Sequence, residues 1–227
     1  DFYARLQRAE AAWVEVPFGI DRQEISACAK PKDNLLLWGG GVWEWLDPET
    51  AVDAVVRLNT EGLRCRLLFL GRTRPNVAAQ AAGRENRFDA LLARGGPYVS
   101  ANDDWVPYRE RLSWLRASKI AIMLHHSTLE AEYSIRTRLF DAITAGVPVV
   151  TTEEGFAAEL VEKEDLGLVV PPDDTAAVAE AVRKLLTDDG LYLRCVENLQ
   201  RMRPRFAWEV VTGPLIEKIS EWQTQAR

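Results

Sequence analysis

The segment from residue 138 to residue 152, RLFDAITAGVPVVTT, constrains the fold of this chain more than any other. Apolar residues recur at helical spacing from Leu139 to Ile143, which predicts a helix with one buried face. Gly146 stands where helices commonly end, and Pro148 follows where a helix cannot continue. The valines after the proline are typical of a buried parallel strand. The segment therefore predicts a helix that leads directly into a strand of an α/β sheet.

Strand-like and helix-like segments alternate along most of the chain, and Asp47 with Pro48 predicts the capped start of the first helix within the alternation. The predicted strands lie within residues 34–41, 64–71, 96–100, 119–125, 148–152 and 167–170. This alternation predicts an α/β fold with a Rossmann-like, doubly wound, parallel six-stranded sheet and helices on both faces. We expect a linker in residues 1–30, the Rossmann-like domain in residues 31–205 and a C-terminal helix in residues 206–227.

Composition argues against several classes of function. The net charge of −6 over 227 residues argues against a general affinity for nucleic acid or anionic membranes. No apolar run approaches the roughly 18 residues of a membrane span, and the first residues do not resemble a signal peptide. Cys28, Cys65 and Cys195 are odd in number and far apart, which predicts reduced thiols in a cytoplasmic protein. Because the chain lacks an initial methionine, we expect a fragment of a longer protein.

Two segments that follow predicted strands could bind an anion. Gly40 and Gly41 belong to a glycine run after the first strand, where backbone N–H groups can approach a phosphate; a plain turn is an equal alternative. Ser134 is a candidate N-cap of the helix that precedes the GVPVV segment. Arg136 and Arg138 lie beside it, and their guanidinium groups suit phosphate. The alternative for this second segment is a solvated helical turn with ordinary ion pairs.

Other polar residues near predicted strand ends offer weaker signals. Arg72 follows the second strand and is by itself typical of a solvated loop. His125 ends the fourth strand, where it could contact a sugar or a phosphate. The adjacent His126 points to the opposite face of a strand, so the two histidines do not suit one metal ion. The acid pairs at 103–104 and 173–174 fit loop or capping roles. We therefore expect no metal site.

This arrangement resembles the C-terminal, nucleotide-sugar donor-binding domain of GT-B-fold glycosyltransferases of group 1, retaining type. The family motif is an acid, seven residues, a second acid, and then a helix that ends in GxPVV. Residues 146–150 read GVPVV, and Asp141 falls on the second acid, usually a glutamate. The resemblance implies that Asp141 binds the ribose hydroxyls. Tyr133 occupies the position of the first acid, so the nearby Glu130 and Glu132 are the candidate catalytic residues.

The resemblance also implies how the donor diphosphate is bound. In the family, a glycine at a strand end, an arginine and a lysine hold it. Gly40 matches that glycine, whereas Gly41 occupies the arginine position and Trp45 lies near the lysine position. Three arginines could replace the missing cations: Arg72, Arg136 and Arg138. The remaining candidates for donor binding are His125, Tyr133 and Ser134.

The implied activity is the transfer of a hexosyl group from a nucleotide-sugar to an acceptor glycan or lipid-linked glycan. No cofactor or metal is implied, because a helix dipole and cations would neutralise the leaving diphosphate. Residues 130–141 most resemble enzymes from bacterial surface-polysaccharide gene clusters. Two alternatives are a sugar-nucleotide 2-epimerase and a non-catalytic nucleotide-sugar-binding module.

The resemblance further implies a second, N-terminal domain that binds the acceptor. Residues 206–227 would cross back to contact that domain. This chain alone is then expected to be inactive. We also expect a cytoplasmic location. The full-length protein could associate peripherally with the inner face of the membrane. A dimer could form through the apolar face that carries Trp208 and Trp222.

Overall fold

The computed structural model describes residues 14–21, 33–70, 81–102 and 106–225. Its six strands are β1 (Leu35–Gly39), β2 (Arg66–Leu70), β3 (Val99–Ala101), β4 (Ile120–Met123), β5 (Val149–Thr152) and β6 (Gly167–Val170). They pair in parallel to form one sheet in the order β3-β2-β1-β4-β5-β6. The doubly wound six-stranded sheet that the sequence predicts is therefore confirmed. The strand order reverses between β1 and β4, which lie side by side at its centre.

Helices cover both faces of the sheet. They are α1 (Pro48–Thr60), α2 (Ala81–Gly95), α3 (Arg111–Ala117), α4 (Leu129–Tyr133), α5 (Arg138–Ala145), α6 (Gly155–Lys163), α7 (Thr175–Thr187), α8 (Asp189–Met202), α9 (Trp208–Val211) and α10 (Gly213–Gln225). Successive strand residues point to opposite faces. Leu36 and Trp38 accordingly join a cluster with α1, α2 and α7, whereas Leu37 joins a cluster with α3, α5 and α6.

The segment from α5 to β5 folds as its sequence predicts at its C-terminal end. Gly146 ends α5 in the left-handed conformation, with φ 73° and ψ 37°, and its N–H donates to the Ala142 carbonyl at 2.8 Å. Glycine adopts this conformation without steric cost. The N-terminal end differs from the prediction, because Thr137 occupies the N-cap position. Ser134 is not the N-cap of α5; it follows α4 with an extended backbone and donates its N–H to the Glu130 carbonyl.

The segment before the sheet and the segment after α8 meet at one short pairing. Residues 14–19, part of the predicted linker, form no strand. Ile20 pairs with Ala207 through a single bridge, and the Ile20 N–H donates to the Phe206 carbonyl at 2.7 Å. The last two helices, α9 and α10, leave several large apolar side chains exposed: Trp208, Val210, Ile216, Ile219 and Trp222. Within the described ranges, no helix is long and apolar enough to cross a membrane.

Candidate functional site

Three separate segments meet where the carboxyl ends of β1 and β4 lie side by side. Gly40 follows β1, His125 follows β4, and Arg138 begins α5. The Nη1 atom of Arg138 lies 3.1 Å from the position that a Cβ atom on Gly40 would occupy. The crevice at such a reversal of strand order is where open α/β sheets bind their ligands. The fold therefore places these three candidate residues at one plausible ligand site.

Arg138 presents a desolvated positive charge at this position. Its Nη1 atom is buried and has no hydrogen-bond partner within the described part of the chain. The guanidinium carbon lies 5.8 Å from the centre of the Trp38 ring. Burial, followed by repulsion from Arg136, lowers the pKa of Arg138 to about 10, and Asp141 partly offsets this effect. The group therefore stays charged at neutral pH and retains an unsatisfied donor.

Gly40 allows the guanidinium of Arg138 to approach the backbone after β1. Its φ of 152° lies in a range that L-residues with side chains rarely adopt. A Cβ atom at this position would also meet Arg138 at 3.1–3.6 Å along the end of the side chain. Glycine is therefore favoured here by the backbone conformation, and its missing side chain leaves room for the guanidinium of Arg138.

Arg136 occupies a different environment from Arg138. It is only 4% exposed. Its Nη1 donates to the Thr151 hydroxyl at 2.7 Å and to the Thr152 carbonyl at 2.8 Å. Its Nη2 donates to the Glu154 carbonyl at 3.0 Å and to the Glu153 carbonyl at 3.3 Å. The guanidinium thus holds the loop after β5, and its Nη atoms are engaged with protein oxygens rather than open to a diphosphate.

The loop that Arg136 fastens is conformationally strained. Glu154 has a φ of 77°, which is unusual for a residue other than glycine. Its carboxylate accepts a hydrogen bond from the Ser127 hydroxyl at 2.7 Å, so the loop is also held from the segment after β4. Burial lowers the pKa of Arg136 to about 10. Arg136 is therefore a positioning residue whose charge is largely directed at backbone carbonyls.

Asp141 lies in the first half of α5 and is paired with a residue that the sequence did not single out. Oδ1 of Asp141 accepts a hydrogen bond from Nε of Arg111 in α3 at 2.8 Å. Nη1 of Arg111 donates to the Tyr108 carbonyl at 2.8 Å, and the guanidinium lies 3.5 Å from the centre of the Tyr108 ring. The Arg111 and Asp141 side chains are 15% and 25% exposed. The acid is therefore oriented by a fixed, partly buried cation.

His125 contributes a neutral polar ring to the same region. The residue is 3% exposed, and its backbone N–H donates to the Thr152 hydroxyl at 3.1 Å. Burial, followed by the positive charges of Arg136 and Arg138, lowers the pKa of His125 to about 3. Its Nδ1 atom is buried without a hydrogen-bond partner among the described residues. A ligand hydroxyl could satisfy this nitrogen.

The other candidates lie in less enclosed positions. Glu130 and Glu132 are exposed on α4, as is Tyr133 at its end. A hydrogen bond with Glu132 raises the pKa of Tyr133. The Gly41 carbonyl accepts a hydrogen bond from Nε1 of Trp38 at 3.1 Å, so this residue supports the loop after β1. Arg72 lies outside the described residues.

A doubly wound sheet with a glycine-bearing loop at its central crevice is typical of a nucleotide-binding α/β domain. The family described as Glycosyl transferases group 1 has a model that matches residues 33–188. Because this match covers most of the chain, the protein belongs to the group 1 glycosyltransferases.

Individual relatives agree with this family and its fold. The chain is 37% identical over 70 residues to probable sucrose-phosphate synthase 2 of Oryza sativa subsp. japonica, a match that covers 31% of this chain and 7% of the plant protein. The HepE structure from Anabaena in complex with UDP and glucose has a TM-score of 0.69 at 16% identity, over 83% of this chain and 48% of HepE. A glycosyltransferase structure from Rickettsia africae has a TM-score of 0.73 at 15% identity, over 91% of this chain and 56% of the Rickettsia chain. The chain therefore spans about half of these solved chains and far less of the plant protein.

Proposed function

We propose that this chain binds the nucleotide-sugar donor of a glycosyltransferase at the carboxyl ends of β1 and β4, with the donor diphosphate against Arg138. The observation that carries this proposal is the buried, unpartnered Nη1 of Arg138 beside Gly40. Within the described part of the chain, this cation is both at the central crevice and short of an acceptor. It would take the place of the cations that the family usually has after β1.

The energetics favour an anion at this position. A buried donor of a charged group costs free energy when no acceptor pairs with it. Diphosphate oxygens are charged acceptors, and guanidinium groups bind them through short, strong hydrogen bonds. The attraction is also less screened in a partly desolvated crevice than in water. The HepE relative that shares this fold was solved with UDP and glucose, which supports a uridine nucleotide as the first ligand to test.

Two further residues have roles in this proposal. Asp141 binds the ribose hydroxyls, in an orientation that its bond to Arg111 maintains. His125 contacts a hydroxyl of the donor through its ring, which stays neutral at physiological pH because its pKa is lowered to about 3. A neutral histidine can exchange hydrogen bonds with a sugar without adding another positive charge. Glu130 and Glu132 are retained as candidate catalytic residues, and Tyr133 and Ser134 as candidate donor contacts.

The reaction that we propose is metal-independent hexosyl transfer to an acceptor glycan or lipid-linked glycan, in polysaccharide or glycoconjugate synthesis. Arg138 would neutralise charge on the leaving diphosphate in the role that a metal ion fills elsewhere. Because the chain spans about half of the HepE chain, we place the acceptor site in a second domain of the full-length protein. Catalysis requires both substrates to be held together, so we expect the isolated chain to be inactive.

We also propose which contacts and which cellular location the full-length protein has. The exposed apolar side chains of α10, including Ile216 and Trp222, would contact the second domain or a second copy of the protein. Cys65 and Cys195 are free and buried, which favours a reducing, cytoplasmic location. Peripheral contact with the membrane would give access to a lipid-linked acceptor.

The experiment that tests donor binding compares UDP with uridine by isothermal titration calorimetry. We expect Arg138→Met to weaken UDP binding by about tenfold or more, whereas uridine binding should not change. Arg194→Met, which replaces an exposed arginine on α8, serves as the matched control. Unchanged UDP affinity in the Arg138 variant, or an equal loss for uridine, would refute the assignment of the diphosphate to Arg138. GDP and GDP-sugars follow if UDP does not bind.

A second candidate function is a non-catalytic nucleotide-sugar-binding module. It is favoured by one departure from the family pattern, the absence of cations at the positions of Gly41 and Trp45. Slow hydrolysis of a nucleotide-sugar by the full-length protein distinguishes the two. A transferase releases the sugar, and a binding module leaves the donor intact while retaining affinity for it.

A further inference from the structure

A second cluster of ligand-type side chains lies near the donor site but contains none of its residues. His126 follows β4, Asp173 follows β6, and Asp47 precedes α1. Nδ1 of His126 and Oδ1 of Asp173 are 2.6 Å apart. One potential metal-binding atom from each of the three residues lies within 4.8 Å of the other two. The fold thus joins residues from three loops that are far apart in sequence.

Asp47 is the member of this cluster that has a buried oxygen atom without a hydrogen-bond partner among the described residues. The residue is only 1% exposed. Oδ1 accepts a hydrogen bond from the Thr50 N–H at 3.0 Å and so caps α1. Oδ2 is buried and has no hydrogen-bond partner among the described residues. A buried carboxylate oxygen without a partner is costly, so this atom is an open acceptor that a cation would satisfy.

The backbone holds two of the three residues in fixed register. The Asp47 N–H donates to the Leu124 carbonyl at 3.2 Å, and the His126 N–H donates to the Trp45 carbonyl at 3.1 Å. The bridge between Leu46 and His125 lies between these two bonds. Asp47 and His126 therefore keep a constant separation that does not depend on a ligand.

Arg87 interacts electrostatically with Asp47 but does not complete its pairing. Arg87 forms hydrogen bonds of 2.7 Å with both carboxylate oxygens of Glu49. Its remaining bonds go to the carbonyls of Trp43 and Leu46, at 2.9 and 3.1 Å. This guanidinium is therefore engaged with Glu49 and with backbone oxygens, and Oδ2 of Asp47 gains no hydrogen bond from it.

From this geometry we propose that Asp47, His126 and Asp173 bind a divalent transition-metal ion of the zinc class. One imidazole nitrogen and two carboxylates suit Zn²⁺, which binds nitrogen and oxygen ligands at about 2.0–2.2 Å and takes water as the fourth ligand where the protein supplies three. Mg²⁺ and Ca²⁺ favour ligand sets made only of oxygen. The ion would replace the direct hydrogen bond between His126 and Asp173.

Such an ion would connect the start of α1 to the loops after β4 and β6. This metal site goes beyond the proposed function, because none of its ligands belongs to the donor site and the ion takes no part in hexosyl transfer. Binding requires a neutral imidazole and ionised carboxylates, so it should weaken as the pH falls. An ion that binds only the native state should also raise the melting temperature.

The test is a titration of the metal-free 227-residue chain with Zn²⁺ by calorimetry, with MgCl₂ as the comparison. We expect one Zn²⁺ per chain and no binding of Mg²⁺. Asp47→Asn, His126→Gln and Asp173→Asn should each weaken Zn²⁺ binding by about tenfold or more. Asparagine preserves the cap at position 47, and at position 173 it tolerates the φ of 57°. Both variants should therefore fold normally.

The matched control is Asp174→Asn, which removes a charge from the same loop while preserving the cap of α7. Zn²⁺ affinity in this control should equal that of the unaltered chain. Absence of a one-to-one Zn²⁺ complex would overturn the proposal. It would also be overturned if the three site variants bound Zn²⁺ as tightly as the unaltered chain. UDP binding is measured in the same samples, so failure of the metal site and failure of the donor site are distinguished.

Discussion

Nε of Arg111 donates a hydrogen bond of 2.8 Å to Oδ1 of Asp141, which joins α3 to α5 beside the proposed donor site. The family motif draws attention to the acid alone, but its carboxylate is held by an arginine thirty residues away in sequence. A substitution of Asp141 therefore acts on two properties. It removes the proposed contact to ribose, and it leaves the largely buried Arg111 without this acceptor.

Asp141→Asn should separate these two effects. The amide oxygen can still accept from Arg111, so the free energy of unfolding should change little. Loss of the charge should weaken UDP binding by up to about 1.5–3 kcal/mol, the usual range for a hydrogen bond to a charged group. Calorimetry and urea unfolding measure the two quantities. Asp141→Ala should lower both the UDP affinity and the free energy of unfolding. An unchanged UDP affinity in the asparagine and alanine variants would show that Asp141 does not contact the donor.

Arg136→Met should destabilise the chain by about 3 kcal/mol, because several buried oxygens after β5 lose a charged donor. Arg138→Met should leave the free energy of unfolding unchanged or raise it, since it removes a desolvated and partly unsatisfied charge. Urea unfolding of the two variants without nucleotide checks this contrast. A larger loss of stability in the Arg138 variant would mean that the two arginines have been assigned the wrong roles.

Gly40→Ala should lower the free energy of unfolding by about 1–3 kcal/mol, because the backbone conformation is strained for any other residue. It should also weaken UDP binding, since the new methyl group would displace the guanidinium of Arg138. Gly39→Ala is the matched control for stability, because a Cβ atom on Gly39 would meet nothing within 4 Å. Equal unfolding free energies for the two alanine variants would contradict the account of Gly40.

His125 should make stability depend on pH. Its folded pKa of about 3 lies below the ordinary value of about 6.5. Between these values the unfolded chain binds a proton that the native chain does not. The stabilising contribution is therefore complete above pH 6.5 and is lost as the pH falls, by up to about 1.4 kcal/mol per pH unit.

The measurement for His125 is urea unfolding at several pH values between 4.5 and 7. His125→Gln should show a shallower fall in unfolding free energy than the unaltered chain, because carboxylates titrate in both proteins and cancel in the difference. Parallel curves for the two proteins would show that the histidine is not buried in a neutral form.

The sequence predicted the order of strands and helices because hydrophobic periodicity and capping residues are local signals. The end of α5 at Gly146 and the cap at Asp47 were both predicted in this way. Ser134 does not cap α5, because the chain forms the short helix α4, capped by Thr128, and then stays extended before α5. The sequence offers no strong periodic signal for a helix of one turn.

The roles of individual charged residues could not be predicted from local pattern. Arg136 and Arg138 are two positions apart, yet one is bonded to the loop after β5 and the other reaches the loop after β1. Their directions depend on where α5 packs, which is a tertiary property. Arg111 and Asp173 were missed as partners for the same reason, because their contacts lie across thirty and forty-seven residues.

The placement of β4 next to β1 has a consequence for how the chain assembles the proposed donor site. An intermediate that has assembled only β1, β2 and β3 would contain Gly40 and one wall of the crevice. His125 and Arg138 are contributed by the later half of the sequence, so the crevice closes only when β4 docks against β1. Nucleotide binding during refolding would therefore report the joining of the two halves of the sheet, rather than the folding of either half.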